Sequence, residues 1–274
     1  MRQFIKKPFL IVLFLGILSA CATSPTGRPQ LILISSAEEV EIGKKLSREV
    51  ERKYPIYRDL EVESYIQDLG KRLSRVSERR DIRFHFRVVD SKEVNAFALP
   101  GGYIYVNKGL ILTSENEAEL AGVMGHEIGH VVGRHGAARL SMMYSYNILM
   151  SALLGQNPGL WKELVANLFG TAGLLAYSRA DEAEADELGV RYLYRSGYNP
   201  SAMVTFFQKL LALQKREPAL LEKLFSSHPP TSERITRVKE MIERLPYREG
   251  QILDNEGFQR IKLRIQRLAG MGRP

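Results

Sequence analysis

The chain of 274 residues has one cysteine, Cys21, so no disulfide can form within it. It has five histidines, few enough that any clustering of them is informative. It also lacks a long apolar run. The stretch Phe9 to Leu18 carries Gly16 inside it, and the apolar region Tyr144 to Tyr177 is broken at Gly155-Gln156-Asn157-Pro158-Gly159. None of these segments reaches the roughly 20 residues a bilayer-spanning helix needs. The hydrophobic share is 45% and the charged share 26%, which fits a folded globular domain and excludes a largely disordered chain.

What is present begins with an address. Arg2, Lys6 and Lys7 precede the short apolar stretch in the order of a signal peptide. Leu18-Ser19-Ala20-Cys21 resembles a bacterial lipobox, in which cleavage falls before the cysteine and the cysteine carries the lipid. Residues 1–20 are therefore expected to be a lipoprotein signal peptide, Cys21 the lipidation site, and 21–36 a flexible tether, since Ser24-Pro25-Thr26-Gly27 and Arg28-Pro29 are turn formers. Ala22, where an Asp would signal retention in the inner membrane, points by resemblance to enterobacterial lipoproteins to a bacterial outer membrane lipoprotein facing the periplasm. Losing Arg2, Lys6 and Lys7 lowers the formal charge from +8 to +5. The basic cluster Lys71, Arg72, Arg75, Arg79, Arg80, Arg83 and Arg87 reads as a solvated helix face running into a strand rather than a surface for acidic lipid. With no aromatic-basic RNA motif, no nucleic-acid partner is expected.

Apolar spacing predicts helices over 37–53 and 60–78. Residues 82–89 alternate as a half-buried strand, and 94–99 and 103–106 form two more strands around Pro100-Gly101-Gly102. A small antiparallel sheet is the expected result. Ser114-Glu115-Asn116-Glu117 reads as a capping box opening a helix that runs to about Leu140. Further helices are expected over 180–196, after Asn199-Pro200, over 231–245 and over about 254–268. Residues 144–177 read either as a buried helical hairpin or as a lid that also touches the membrane.

His126-Glu127-Ile128-Gly129-His130 is an H-E-x-x-H motif inside the helix that follows Ser114. Residues four apart share a helix face, so both imidazoles can reach one metal ion. Catalytic zinc takes three protein ligands and keeps one position open for water, and Glu127 is placed to accept that water's proton. The third ligand is open from the residues alone. A third histidine in the metzincin pattern should stand at position 136, which is Gly136, so His135 misses by one and is expected to support a ligand from behind or to lie at the surface. Glu182 and Asp186 share a face of a later helix, so one can bind metal while the other orients a histidine. Glu184, off that face, is expected to leave metal binding unaffected.

Asn95-Ala96-Phe97-Ala98-Leu99-Pro100-Gly101-Gly102, His126-Glu127-Ile128-Gly129-His130, Ser178-Arg179 with Glu182 and Asp186, and Ser227-His228-Pro229-Pro230 with Arg234 together resemble the HtpX, CAAX prenyl protease and BepA/LoiP family of gluzincin metallopeptidases. The resemblance spans residues 95–234. It implies an α+β, mainly helical zincin-like domain over 37–274 with the small sheet beside the motif helix, and one zinc ion held by His126, His130 and Glu182. It further implies supporting roles for Asp186 and Arg234, and an edge strand at Asn95, Ala96 and Phe97 that grips an extended substrate. His228 is expected to be a displaceable fourth ligand or a transition-state stabiliser, the plain alternative being a turn residue. The expected function is metalloendopeptidase cleavage of misfolded or unassembled envelope polypeptides. The rivals are a lipoprotein chaperone that binds such chains without cutting them and a zinc enzyme acting on peptidoglycan.

Overall fold

The computed structural model describes residues 21–169, 176–229 and 231–270, so the expected signal peptide lies outside the described residues. The expected tether is folded at its start. β1 (Cys21–Thr23) pairs antiparallel with β2 (Pro29–Leu31), and the turn between them is closed by the Gly27 amide donating to Ser24 O at 2.9 Å. The turn formers that suggested flexibility make this hairpin instead.

Helix α1 (Ser36–Lys53) starts on Ser35, which forms a capping box with Glu38, and α2 (Leu60–Ser74) starts on Asp59. A three-stranded sheet follows, made of β3 (His85–Val89), β4 (Ala96–Leu99) and β5 (Tyr103–Asn107) in the order β3-β5-β4. β4 and β5 form the expected antiparallel pair around Pro100-Gly101-Gly102. β3, however, lies parallel to β5, so the sheet is mixed. Strand patterning sets which face is apolar but not which neighbour a strand chooses, and the chain crosses from β3 past the β5 position to reach β4.

The sheet is covered on both faces, as period-two alternation allows. Phe86, Val88, Ala96, Ala98, Ile104 and Val106 pack into a core with α2 and with α4 (Glu117–Val132). Val89, Phe97, Leu99 and Tyr105 point the other way and pack with Ile42, Leu46 and Val50 of α1.

A short helix absent from the sequence reading, α3 (Lys108–Thr113), precedes α4 and uses Ser114 as its C-cap. The capping box expected at Ser114 therefore does not form. Asn116 caps α4, accepting from the Glu119 amide at 2.9 Å, and buried Glu117 bonds Tyr65, Tyr198 and Asn255. Nor does α4 run to Leu140. It stops at Gly133, Arg134 takes a left-handed φ of 54°, and α5 (His135–Met143) begins anew. α6 (Tyr146–Leu153) and α7 (Pro158–Phe169) follow. They bury Leu149, Ala152 and Leu164 against the α1 side of the sheet, while Met142, Ile148 and Leu154 are exposed. The rest of that apolar region, 170–175, lies outside the described residues.

α8 (Arg179–Arg195) opens on a Ser178–Asp181 capping box and packs along α4. The two backbones approach closely because a glycine faces the partner helix: a Cβ on Gly129 would lie 2.9 Å from the Ala185 carbonyl oxygen. α9 (Ser201–Gln214), α10 (Glu222–Ser227), α11 (Ser232–Glu243) and α12 (Glu256–Gly270) complete the fold. Part of the basic cluster is structural. Arg79 is buried and donates to Glu39 at 3.0 Å and to Val131 O at 3.2 Å, tying α1 to the end of α4. No helix among the described residues is long and apolar enough to cross a membrane.

Candidate metal centre

His126 and His130 project from one face of α4, and the close α4–α8 packing sets Glu182 opposite them. The two Nε2 atoms stand 3.0 Å apart; Glu182 Oε2 is 3.5 Å from that of His126, and Oε1 is 3.3 Å from that of His130. Zinc ligands about 2.0–2.1 Å from the ion in a tetrahedron stand about 3.3 Å from one another. The three side chains thus come close to the spacing of three corners of such a site, with a different Glu182 oxygen facing each histidine. The fourth corner has an occupant. His228, at the end of α10, places Nδ1 3.3 Å from His126 Nε2 and 2.7 Å from Glu182 Oε1. Ligand atoms from His126, His130, Glu182 and His228 all lie within 4.8 Å of one another, and all four residues are buried.

The donor set also fits a cation by its loose ends. Glu127 Oε2 and His228 Nε2 are buried polar atoms without a hydrogen-bond partner, and an ion, water or substrate would complete them. Glu127 Oε1 faces His228 Nε2 at 3.7 Å.

Surrounding groups orient these side chains. Asp186 Oδ1 is 2.9 Å from His126 Nδ1, which leaves the Nε2 lone pair of His126 for a metal. Arg234, on α11, grips Asp186 bidentately at 2.7 and 2.8 Å and reaches Glu182 Oε2 at 2.9 Å. On the other ligand, His130 Nδ1 meets His135 Nδ1 at 2.8 Å, and the Tyr177 ring stacks on His130 at 3.9 Å between centroids. His135 in turn contacts Glu184 Oε2 at 3.4 Å. Four of the five histidines of the chain therefore meet at one place.

The charges follow from this crowding. Burial opposes ionisation of Glu182, but His228 and His126 outweigh it and hold its carboxyl well below the usual range. Burial also opposes charge on His126, yet Glu182 and Asp186 raise it to about 9. Glu127 goes the other way: burial dominates, only partly offset by His228 and His126, so its proton affinity is raised. A carboxylate with raised proton affinity suits a general base.

The remaining expected site residues fall as follows. Ala96 and Phe97 lie on β4, the edge strand that packs on α4, and Asn95 precedes them with its Oδ1 buried and unpartnered. Cys21 opens β1. His135, expected behind a ligand or at the surface, stands directly behind His130, and Glu184, expected to leave metal binding unaffected, stands behind His135. Beside the motif lies a small recess lined by the apolar Val123, Met203, Phe206, Phe207 and Leu224 together with His126, Glu127 and His228.

Fold and site together define a mainly helical domain with a candidate metal centre of histidine and glutamate ligands. A family model described as peptidase family M48 matches residues 60–242, and the chain belongs to that family. It is 31% identical over 252 residues to a beta-barrel assembly-enhancing protease of Escherichia coli (strain K12), covering 88% of this chain and 50% of that protein. It is 28% identical to the metalloprotease YcaL of Escherichia coli (strain K12), covering 66% of this chain and 73% of the relative. It is 29% identical to the mitochondrial metalloendopeptidase OMA1 of Schizosaccharomyces pombe, covering 65% and 52%. The chain spans about half the length of the first of these relatives.

Proposed function

We propose that this chain is a zinc-dependent endopeptidase that cleaves misfolded or unassembled envelope polypeptides, holding one zinc ion through His126, His130 and Glu182. The observation that carries the reading is the near-tetrahedral spacing of those three donors, with the unpartnered Glu127 carboxylate beside them. A zinc ion bound there supplies Lewis acidity toward the scissile carbonyl and lowers the pKa of water. Glu127 accepts the proton of the attacking water and returns it to the leaving amine. Asp186, clamped by Arg234, holds His126 in the tautomer that frees Nε2. β4 lies at the sheet edge, where an extended chain can add by backbone hydrogen bonds with little side-chain selectivity, as a protease for unfolded substrates requires.

In the arrangement described, His228 Nδ1 stands 3.3 Å from His126 Nε2, where a fourth ligand would lie. This supports a latent form in which His228 must move before a substrate binds. The name of the relative acting in beta-barrel assembly supports the envelope setting, and the lipobox-like residues before Cys21 support a lipid anchor on the outer membrane, facing the periplasm. The test is casein cleavage with Glu127→Gln and Glu182→Ala beside wild type. Glu127→Gln should keep zinc and lose turnover by roughly a hundredfold or more, and Glu182→Ala should lose the metal. Equal turnover in wild type and Glu127→Gln would reject the enzyme reading in favour of a chaperone that only binds extended chains.

A further inference from the structure

His130 can offer Nε2 to a metal only if its proton sits on Nδ1, and the group facing Nδ1 is His135. That meeting is unusual. In an unbroken helix residues five apart differ by about 140° around the axis, so His135 would face away from His130. The left-handed turn at Arg134 brings it back, at a cost of about 1–2 kcal/mol for a residue with a Cβ. Arg134 is held in that conformation by Glu39 Oε2 at 2.8 Å and Ile34 O at 2.8 Å. Gly133 leaves room for the ring, since a Cβ there would lie 2.4 Å from His135 Nε2.

Behind His135 the chain of contacts continues to the N-terminal hairpin. Glu184 Oε2 faces His135 Nε2 at 3.4 Å and accepts from Arg28 Nη1 at 2.9 Å, while its Oε1 accepts from the Thr26 hydroxyl at 2.8 Å. Arg28 also reaches Asp181 at 3.3 Å and Ala180 O at 2.7 Å. The Glu184 side chain is 1% exposed, so its charge depends on these partners.

We infer that Thr26 and Arg28 of the hairpin, acting through Glu184 and His135, are positioning residues for His130. The inference rests on the reading of His126, His130 and Glu182 as metal ligands. Each link dictates the next. Ionised Glu184 only accepts, so His135 carries its proton on Nε2 and presents a lone pair at Nδ1. His130 then donates from Nδ1 to that lone pair, and its own Nε2 lone pair is left toward the metal. The hairpin that begins at Cys21 is in this way mechanically joined to a metal ligand, and a hairpin pulled from α8 would loosen it.

The test uses the full chain and two readouts apart from proteolysis: zinc affinity by competition with a chromogenic chelator, and the visible spectrum of the cobalt-substituted protein. His135→Leu and Glu184→Ala should weaken zinc binding roughly tenfold to a hundredfold, and Arg28→Ala should shift it less, in the same direction. His135→Asn, whose carboxamide oxygen stands near the lost Nδ1, should recover most of the affinity although leucine is nearer histidine in volume. Arg28 is half-buried at the surface, so its loss does not empty the core. Wild-type affinity and spectrum in Glu184→Ala and Arg28→Ala, or equal behaviour of His135→Leu and His135→Asn, would overturn the inference. Wild-type zinc affinity in Glu182→Ala would instead overturn the metal-site reading, and the positioning role of the hairpin with it.

Discussion

His228→Ala tests whether the fourth corner is a plug. His228 Nδ1 makes a 2.7 Å hydrogen bond to the buried Glu182 carboxylate, which in the proposed latent form substrate must break to reach the site. A hydrogen bond to a charged group contributes about 1.5–3 kcal/mol, which is a factor of roughly 10–150 between closed and open forms. A protein open only in that fraction binds substrate correspondingly more weakly, so the closed state shows as a raised KM. His228→Ala should therefore raise kcat/KM on casein by about tenfold or more, chiefly through KM, with zinc still near one per chain. A fall in kcat of roughly a hundredfold would refute the plug and identify a transition-state contact. Unchanged kinetics at equal zinc loading would make His228 a turn residue.

Gly129→Val should separate α4 from α8, because the added Cβ meets the Ala185 backbone. We expect a loss of stability of about 1–3 kcal/mol and weakened zinc binding, checked by thermal unfolding and metal analysis. Burial opposes ionisation of Glu184, but bonds from His135, Ser24 and Thr26 lower it to about 2. Its folded value lies below the ordinary 4.5, so its stabilising effect is complete above about pH 4.5 and is lost as pH falls toward 2. Chelator-treated wild type should lose Tm more steeply than Glu184→Gln between pH 5 and 3, and parallel slopes would contradict this. Cys21→Ala should stop lipid-linked processing and release the protein from the membrane fraction, while an unchanged fraction and mass would remove the anchor.

The sequence by itself marked the helices over 37–53, 60–78, 180–196, 231–245 and about 254–268 through apolar spacing, whereas the cap read at Ser114 closes α3 instead of opening α4. It also determined the pairing of His126 with His130, because four residues on a helix span one turn whatever surrounds it. Glu182 and His228 stood out in the sequence only by resemblance to a family, and residue spacing alone left Asp186 an equal candidate. The choice between the two acids depends on how far α8 slides along α4, and that is set by Gly129 meeting Ala185 across 60 or so residues of intervening chain. The mixed sheet was likewise invisible, since alternation in β3 fixes a face and not a neighbour. His135 is the clearest case of a residue that spacing misleads. By helical geometry it points away from His130, and only the left-handed turn at Arg134, secured by Glu39 from α1, brings the two rings together. Helical spacing and the motif are local and legible in sequence order. The fourth corner, the acid that faces the histidines and the hairpin behind them come from contacts between distant segments, which only close packing of the whole chain decides.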